Sequence, residues 1–440
     1  MIYILLFSVL FLLILSTLLF DRDVSSPSIL LTSSFFISTI CACFYSEEWE
    51  FSDLTLVGIV VLGLSSFILF SFFIKFFDSR TKITTPKELV EINLTKGKLC
   101  IYLIFQIILI IATLNVIKQN VGAFELFSGK YYELKRSDNI IYKSRFVDVG
   151  WILNFSGTYY LIYIACNNLL LKSKKNILLY INIFLGCIGS LLMGTKTAFF
   201  MFLIGFFISY LLLFQKKVAW TYKPDFKTVC KMFLTILVFL FSFTIIDYMQ
   251  GRTLDDVTPI DKLATYLGAP LKNLELFINE NHSTNQLVGE QTFKNFYSSI
   301  FKDLPVASEN LYKYRWINAH PLGNVSSMFM PIFYDFGVPG IIIIFGLFGI
   351  FCQKIYDKIK YEKTVFDTDF FSIFYSFLSF SIIFSFFSNK FFESAFSKAG
   401  VYFVIGLFLF DYFFLSLKGT KFTKRKTRLK KIRKSLRKLS

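Results

Sequence analysis

The 440-residue chain is 55% hydrophobic, carries charges on 18% of its residues and has a mean hydropathy of +0.58. Soluble globular domains are less apolar and have about a quarter of their residues charged, so this composition excludes a soluble fold. The net charge of +17 does not indicate a nucleic-acid partner, because Lys and Arg concentrate between long apolar runs and in a tail at 418–438.

Long apolar runs follow one another along the chain. A helix of about 20 residues spans the ~30 Å hydrocarbon core of a bilayer, and backbone groups in hydrocarbon must find their hydrogen-bond partners within the protein. The sequence therefore predicts an all-α polytopic membrane protein with about 11 transmembrane helices. The predicted spans are 2–20, 28–44, 54–77, 99–117, 149–171, 176–194, 197–214, 229–249, 326–352, 370–388 and 399–417.

The spans divide the chain into four segments. Transmembrane helices 1–8 occupy 1–249, a large extracytoplasmic loop occupies 250–325, helices 9–11 occupy 326–417, and a basic cytoplasmic tail occupies 418–440. The first apolar run starts at Met1 without a basic region or a small-residue cleavage site. It therefore predicts a retained helix and not a removable signal peptide.

The basic residues between the spans predict the orientation of the chain. Alternate connections and the C-terminal tail contain most of the 47 Lys and Arg residues, whereas the short connection 46–53 has acidic residues and no basic ones. Cytoplasmic loops are enriched in Lys and Arg. We therefore predict that the N-terminus lies outside and the C-terminus lies in the cytoplasm.

The connection 250–325 is much longer than an ordinary loop and falls on the predicted outer side. A loop of this length without secondary structure is uncommon in a compact domain and is usually functional. Its stretches 260–277 and 292–301 show apolar periodicity. They predict short amphipathic helices that lie on the membrane surface.

Two basic residues at the predicted outer edge of the membrane are candidate ligands for an anion. Lys196 lies between two spans with almost no loop, so it either holds an anionic lipid head group, such as a diphosphate, or is a snorkelling turn residue. Arg252 follows the eighth span directly, and it either binds an anion or pairs with Asp247 at the end of that helix.

Three further residues lie around the predicted start of the ninth span. Arg315 and His320 precede it, and His320, one of two histidines with His282, is either a surface residue or an acid–base or diphosphate-contact group. Asp335 lies within the span near its start, where a carboxylate needs a partner. It is either a structural hydrogen-bond acceptor or part of a site.

Several common motifs are missing from the sequence. It has no nucleotide-binding P-loop, no GxGxxG, no HExxH and no paired carboxylates of the kind that bind a metal in glycosyltransferases. The seven cysteines show neither a disulfide framework nor a metal-binding spacing, which favours a packing role. The sequence therefore predicts no metal and no soluble cofactor.

The central and later part of the chain, roughly 185–350, resembles the Wzy-type polymerases of O-antigen and capsule repeat units. Those polytopic proteins have a long outer loop, a Gly-Ser/Thr-Arg turn between two helices and a Tyr-Asp-Phe-Gly-x-x-Gly run after the loop. The matching segments are Gly194-Thr195-Lys196, with lysine in place of arginine, Asn324-Val325-Ser326-Ser327, Tyr334-Asp335-Phe336-Gly337-Val338-Pro339-Gly340, Tyr266-Leu267-Gly268 and Gly289-Glu290-Gln291-Thr292-Phe293.

The resemblance implies a metal-independent glycosyl transfer at the outer face of the bacterial cytoplasmic membrane. Donor and acceptor would be glycans linked to undecaprenyl diphosphate, and a chain-length regulator protein would be a possible partner. Such a transfer needs cations for the departing diphosphate, a base for the attacking hydroxyl and a surface for the glycan. The candidates are Lys196, Arg252 and Arg315 for the diphosphate, His320 or Asp335 as the base, and Tyr266, Trp316 and Tyr334 for the glycan.

Two alternatives remain at the level of sequence. An O-antigen ligase shares this architecture and differs in its acceptor; the run from Tyr334 to Gly340 favours the polymerase. A lipid-linked oligosaccharide flippase or other transporter is expected to have short outer loops, an internal repeat and polar residues at mid-bilayer depth. The sequence shows little sign of any of these.

The predicted orientation can be tested with reporter fusions. A reporter that is active only outside the cytoplasm should give activity when fused after Asn281 and none when fused after Ser440. Activity after Ser440, or its absence after Asn281, would contradict the orientation.

Overall fold

A computed structural model describes residues 1–79, 89–122, 130, 134, 141–173, 176–192, 196–223, 259–280, 282, 287–300, 311, 313–318, 320–361 and 370–415. The helices in these ranges are α1 (Ile2–Leu19), α2 (Pro27–Phe44), α3 (Ser46–Trp49), α4 (Leu54–Ser79), α5 (Lys96–Val121), α6 (Arg145–Leu170), α7 (Ile177–Leu192), α8 (Lys196–Lys217), α9 (Pro259–Ile278), α10 (Lys294–Ile300), α11 (Phe329–Tyr361), α12 (Phe370–Ile383) and α13 (Lys398–Leu415). An antiparallel hairpin is formed by β1 (Arg315–Ile317) and β2 (His320–Gly323).

Seven helices of the described ranges are long and apolar enough to cross a membrane, namely α1, α2, α4, α5, α6, α8 and α11. Two shorter apolar helices, α7 and the helical stretch Phe370–Phe386, accompany them. The all-α membrane fold predicted from the sequence is confirmed to this extent. The count of 11 spans stays a prediction, because the predicted span 229–249 and the tail 418–440 lie outside the described residues.

The helices run between two ends of one bundle. The loop end contains residues 45–53, α9, the hairpin and residues 387–397, and the hydroxyl groups of Tyr3 and Ser46 lie 3.3 Å apart there. The far end contains residues 20–26 and 218–222, where Lys75 donates to the Leu19 carbonyl over 2.6 Å and the Trp220 indole donates to the Tyr356 hydroxyl.

In the described residues, the apolar core has two large neighbouring clusters and a small third one of Leu109, Val147 and Trp151. The first large cluster joins α1, α2, α4, α9 and α11, and the second joins α5, α6, α7 and α13, while α8 contributes to both. Helix α12 lies between them. Its residues Tyr375, Leu378 and Ile382 belong to the first cluster, whereas Ile373 and Phe377 belong to the second, because the two sets point to different faces of one helix.

Small residues allow α4 and α11 to approach closely. A Cβ atom added at Gly349 would lie 2.6 Å from the Phe67 carbonyl oxygen, and the Ser66 hydroxyl donates to the Ile342 carbonyl over 2.6 Å. Lipid is as apolar as a leucine side chain, so close backbone packing and interhelical hydrogen bonds hold such helices together. This contact fixes α11 and, with it, Asp335.

A network of uncharged polar groups is buried near the middle of α5 and α6. The Asn154 side-chain oxygen accepts hydrogen bonds of 2.9 Å from both Tyr102 and Gln106, and the Gln106 amide also donates to the Asn182 carbonyl. All four side chains are almost fully buried. No local sequence pattern indicates this network, because the amides and the phenol belong to different helices and meet only after the helices pack.

Helix α11 is two helical segments joined by a kink at Gly337. Gly337 has φ 62° and ψ −157°, a combination that is essentially restricted to glycine, and Pro339 follows two residues later. The predicted ninth span, 326–352, therefore corresponds to a bent element. The kink turns the short segment that carries Asp335 away from the direction of the longer one.

Replacing Gly337 by alanine should destabilise the protein. A side chain at this φ and ψ costs about 1–3 kcal/mol, so the melting temperature of the detergent-solubilised protein, measured by tryptophan fluorescence, should fall. Gly58→Ala is the matched control, since Gly58 lies within α4 and a Cβ there meets nothing within 4 Å. Equal melting temperatures for the two variants would contradict strain at the kink.

Candidate functional site

Helix α9 closes the loop end of the first core cluster. The Ser38 hydroxyl of α2 donates to the Leu267 carbonyl over 2.6 Å, and a Cβ atom at Gly268 would lie 2.8 Å from the Ala42 backbone nitrogen. Leu271 and Leu274 are fully buried. The sequence predicts an amphipathic helix lying on the membrane surface at 260–277. The structure forms α9 in this segment and packs it against α2 and α4. Its position at a membrane surface stays a prediction.

A buried ion pair fixes α9 to the start of α4. Lys272 and Glu275 pair on one face of α9, and both side chains are less than 5% exposed. One Glu275 oxygen accepts hydrogen bonds of 2.7 Å from the backbone N–H groups of Ser52 and Asp53. The charges of Lys272 and Glu275 therefore compensate each other inside the protein, where an unpaired charge would be strongly destabilising.

The β-hairpin places Arg315 inside the protein and its neighbours outside. Arg315 lies opposite Gly323, and its side chain is 6% exposed, whereas Trp316 is 61% exposed. At the turn, the Asn318 amide donates to the Glu48 carbonyl and to the Glu50 carboxylate. These contacts fix the hairpin to the connection between α2 and α4.

Arg315 forms an ion pair with Glu280 just beyond α9. Two guanidinium nitrogens donate to the two Glu280 oxygens, over 3.4 and 3.1 Å, and Lys313 approaches the same carboxylate at 2.8 Å. Burial raises the pKa of Glu280, but the hydrogen bonds and positive charges of Arg315 and Lys313 outweigh it, so the pKa lies below its ordinary value. Two cations around one carboxylate leave one positive charge in excess.

In the structure, His320 lies apart from the residues around Arg315, and the other histidine, His282, lies close to them. His320 is exposed on β2 opposite Ile317. His282 stacks on Phe277 with ring centroids 3.8 Å apart, and the Arg315 guanidinium lies 5.9 Å from the centroid of the same ring. Sequence position favoured His320 because it is close to Arg315 along the chain. Arg315 and His320 lie at opposite ends of the hairpin, because Arg315 pairs with Gly323 whereas His320 pairs with Ile317 beside the turn.

Asp335 binds the backbone of the turn that precedes α10. Its carboxylate accepts hydrogen bonds from the Gln291 N–H, at 3.1 and 3.2 Å, and from the Thr292 N–H at 2.6 Å. The Thr292 hydroxyl in turn donates to the Pro331 carbonyl. Two of the segments that carry the family resemblance, 289–293 and 334–340, are therefore in direct contact. Asp335 has the geometry of a hydrogen-bond acceptor that fixes this turn.

The three aromatic residues predicted to hold a glycan lie on three different elements. Tyr334 of α11 lies 5.8 Å from His282, Trp316 of β1 lies 5.4 Å from Tyr314, and Tyr266 of α9 lies 6.0 Å from Phe387, measured between ring centroids. The structure therefore does not gather them into one stacking surface. Tyr334 is the one that adjoins the Arg315 cluster, through Phe277.

The two remaining cation candidates are described only in part. Lys196 is the first residue of α8, and its side chain is outside the described part of the structure. Its neighbour Thr197 lines a cavity at the loop end. Arg252 lies outside the described residues. The roles of both in diphosphate binding stay predictions.

An apolar cavity of about 500 Å³ opens at the loop end between α6, α8, α12 and α13. Its deeper wall is formed by aromatic and aliphatic side chains, and one wall residue, Asn154, belongs to the buried polar network. Polar residues in the first turns of α6 and α8 and in the turn before α13 surround its opening, namely Asp148, Thr197, Glu393 and Ser394. Its volume is in the range of small-molecule sites.

A smaller polar pocket of about 190 Å³ adjoins the apolar cavity. It is lined by Gln291, Thr292, Lys294, Asn295 and Glu393, so Glu393 borders both spaces. Asp335 holds the backbone of Gln291 and Thr292 and thereby one wall of this pocket.

Sequence reasoning missed Glu280, His282 and Glu393. Each is an ordinary polar residue in a connecting segment, and only the fold shows that Glu280 meets Arg315 and that Glu393 lies at a cavity. In the part of the chain that the structure describes, no three His, Cys, Asp or Glu residues come together as a metal ion would require.

Comparison with family models, curated proteins and solved structures gives no match for this chain.

The Arg315–Glu280 pair should contribute stability that depends on pH. Because the folded-state pKa of Glu280 is lowered, the contribution is present above the ordinary carboxyl pKa and is lost as pH falls through the lower folded value. At pH 7, Glu280→Gln should cost about 1.5–3 kcal/mol, since it weakens hydrogen bonds to a buried cation.

The measurement is thermal unfolding of the purified protein between pH 3 and pH 7. The difference in melting temperature between the native protein and Glu280→Gln should become smaller as the pH is lowered. Lys313→Gln is the control: its ammonium is half exposed, so its loss should cost at most about 1 kcal/mol. A difference in melting temperature that does not change with pH would contradict a stabilising role of the Arg315–Glu280 ion pair.

Proposed function

We propose that this protein is a glycosyltransferase that joins oligosaccharide repeat units, carried on undecaprenyl diphosphate, into a polysaccharide at the outer face of the bacterial cytoplasmic membrane. The observation that carries the proposal is the apolar cavity, which opens at the loop end directly beside a polar pocket. An amphiphile with a long hydrocarbon chain and a polar head matches this arrangement. The resemblance to the Wzy-type polymerases supplies the chemical class of the head group.

Basic residues at the loop end fit the needs of such a transfer. Glycosyl transfer from a lipid diphosphate requires positive charge where the diphosphate leaves. Lys196 begins the helix whose next residue, Thr197, lines the cavity, and the Arg315–Lys313–Glu280 group has one positive charge in excess. These cations can offset the charge of a diphosphate at a boundary of low dielectric constant.

The two predicted catalytic residues receive different roles in this proposal. Asp335 uses its carboxylate to accept backbone N–H groups of the 289–293 segment, so we assign it the positioning of the pocket wall. His320 is exposed on the hairpin, where an acceptor glycan can reach it, and stays the candidate base. No step of the proposal requires a metal or a soluble cofactor.

A transporter of lipid-linked oligosaccharides is the second candidate. The observation that favours it is the buried network of Tyr102, Gln106, Asn154 and Asn182, since polar groups at mid-bilayer depth are typical of substrate pathways. Asn154 also lines the apolar cavity. Against it stands the large loop end, which closes over α2 and α4 and suits a site at the membrane surface.

Deletion of the gene distinguishes these functions. Loss of the polymerase should leave single repeat units on the cell surface and remove the ladder of longer chains in an electrophoretic analysis of surface glycan. Loss of all surface glycan with long lipid-linked polymer in the membrane would identify a ligase instead. Single lipid-linked units retained on the cytoplasmic face would identify the transporter, and an unchanged ladder would exclude all three.

Complementation of the deletion with variants tests the cations. Lys196→Ala, Arg252→Ala and Arg315→Ala should each reduce polymerisation roughly ten- to hundredfold, as expected for loss of a charge-assisted contact in the transition state. Lys196→Arg should be tolerated. Lys217→Ala is the control, because Lys217 is exposed at the far end, whereas the neighbouring Lys216 is buried and donates to Ser372. Normal ladders from all three alanine variants at normal protein levels would contradict the cation roles.

A further inference from the structure

The apolar cavity and the polar pocket share one side chain, Glu393, on the π-helical turn Phe391–Ala395. Single π-helical turns occur frequently at functional sites. If the hydrocarbon chain of a ligand lies in the apolar cavity, the polar head group that projects from the cavity lies beside the Glu393 carboxylate. The position of Glu393 therefore indicates contact with the polar part of a ligand whose chain lies in the cavity.

Glu393 is held in place by its own surroundings. Its carboxylate accepts hydrogen bonds from the Ser388 hydroxyl, at 3.0 and 3.1 Å, and from the Lys390 ammonium at 2.6 Å. Its backbone carbonyl accepts the Asn295 amide at 3.0 Å, which links α10 to the π-helical turn. The side chain remains 25% exposed. A carboxylate fixed in this way is preorganised and is still accessible to a ligand.

The chemistry of the pocket selects a ligand that donates hydrogen bonds as well as accepting them. Gln291 and Asn295 offer amides, Thr292 a hydroxyl, Lys294 an ammonium and Glu393 a carboxylate. A carboxylate only accepts hydrogen bonds, and an ionised phosphodiester has no hydrogen to donate. The hydroxyl groups of a sugar ring both donate and accept, so they match the whole set.

The size of the pocket limits the ligand to about one ring. A volume of 190 Å³ corresponds to about six water molecules at ~30 Å³ each, which one hydroxylated six-membered ring can replace. We propose that this pocket binds a single sugar ring of the glycan, the ring that follows the diphosphate of a ligand whose lipid chain lies in the apolar cavity, with Glu393 accepting hydrogen bonds from its hydroxyls. The assignment rests on the proposed function in taking the ligand to be a lipid-linked glycan.

The test uses the full chain in lipid nanodiscs and a dodecyl β-glucoside with a photoreactive diazirine on its first alkyl carbon. Illumination followed by peptide mass analysis should place the label on segments containing 291–295 or 393. Unlabelled dodecyl glucoside should compete with the probe, whereas dodecylphosphocholine, with a chain of the same length and no hydroxyl, should compete more weakly because only its chain can bind.

Variants then assign the contact to Glu393. Glu393→Gln should weaken competition by the glucoside about tenfold, because a charge-assisted hydrogen bond is lost. Glu47→Gln is the matched control, since Glu47 is an exposed carboxylate at the same end of the bundle. Lys294→Met changes another, exposed wall residue and leaves the hydrogen bonds of Glu393 intact, and it should weaken competition severalfold.

The outcomes separate this inference from the proposed function. Equal competition by the phosphocholine and the glucoside, or native competition in both pocket variants, would overturn the sugar pocket. If that result occurs while gene deletion removes the ladder, the pocket is wrong and the polymerase assignment stands. If the glucoside binds as expected and the ladder survives deletion, the sugar pocket stands and the polymerase assignment is wrong.

Discussion

The hydrogen bonds from the Gln291 and Thr292 backbone to Asp335 hold the loop end together. They join the turn before α10 to the short first segment of α11, whose direction is set by the kink at Gly337. Asn389 donates to the Thr292 carbonyl, so the segment after α12 is fixed to the same turn. Without this carboxylate, the polar pocket would lose the support of the wall formed by residues 291 and 292.

The helix bundle beneath the loop end contains a cavity whose interior is apolar and whose opening is polar. Helix α12 separates the two large apolar clusters, and its Phe377 lines the cavity that lies within the second. The cavity is apolar in its depth and polar at its opening, which is the arrangement that an amphiphile requires. Because α11 is fixed to α4 through Gly349 and Ser66, the first segment of α11 keeps its place beside that opening.

Charge at the loop end is organised as pairs. Lys272 with Glu275, Arg315 with Glu280 and Lys390 with Glu393 each place a cation against a carboxylate. The first pair is deeply buried and structural, whereas the other two retain accessible atoms, and Glu393 of the third lines both the cavity and the pocket. Pairing compensates these charges inside the protein, where an isolated buried charge would be strongly unfavourable.

The membrane class and the long apolar helices follow from the sequence alone, because an apolar run long enough to cross a bilayer must satisfy its backbone internally whatever its neighbours are. The sequence also indicates Arg315 and Asp335 as residues to examine. Their partners depend on the tertiary structure, since Asp335 and Gln291 are 44 positions apart and Arg315 and Glu280 are 35 apart. The fold likewise leaves His320 exposed, stacks the partly buried His282 on Phe277 and places Glu393 at both the cavity and the pocket. Such contacts depend on how separate segments pack, and no local pattern of residues encodes that packing.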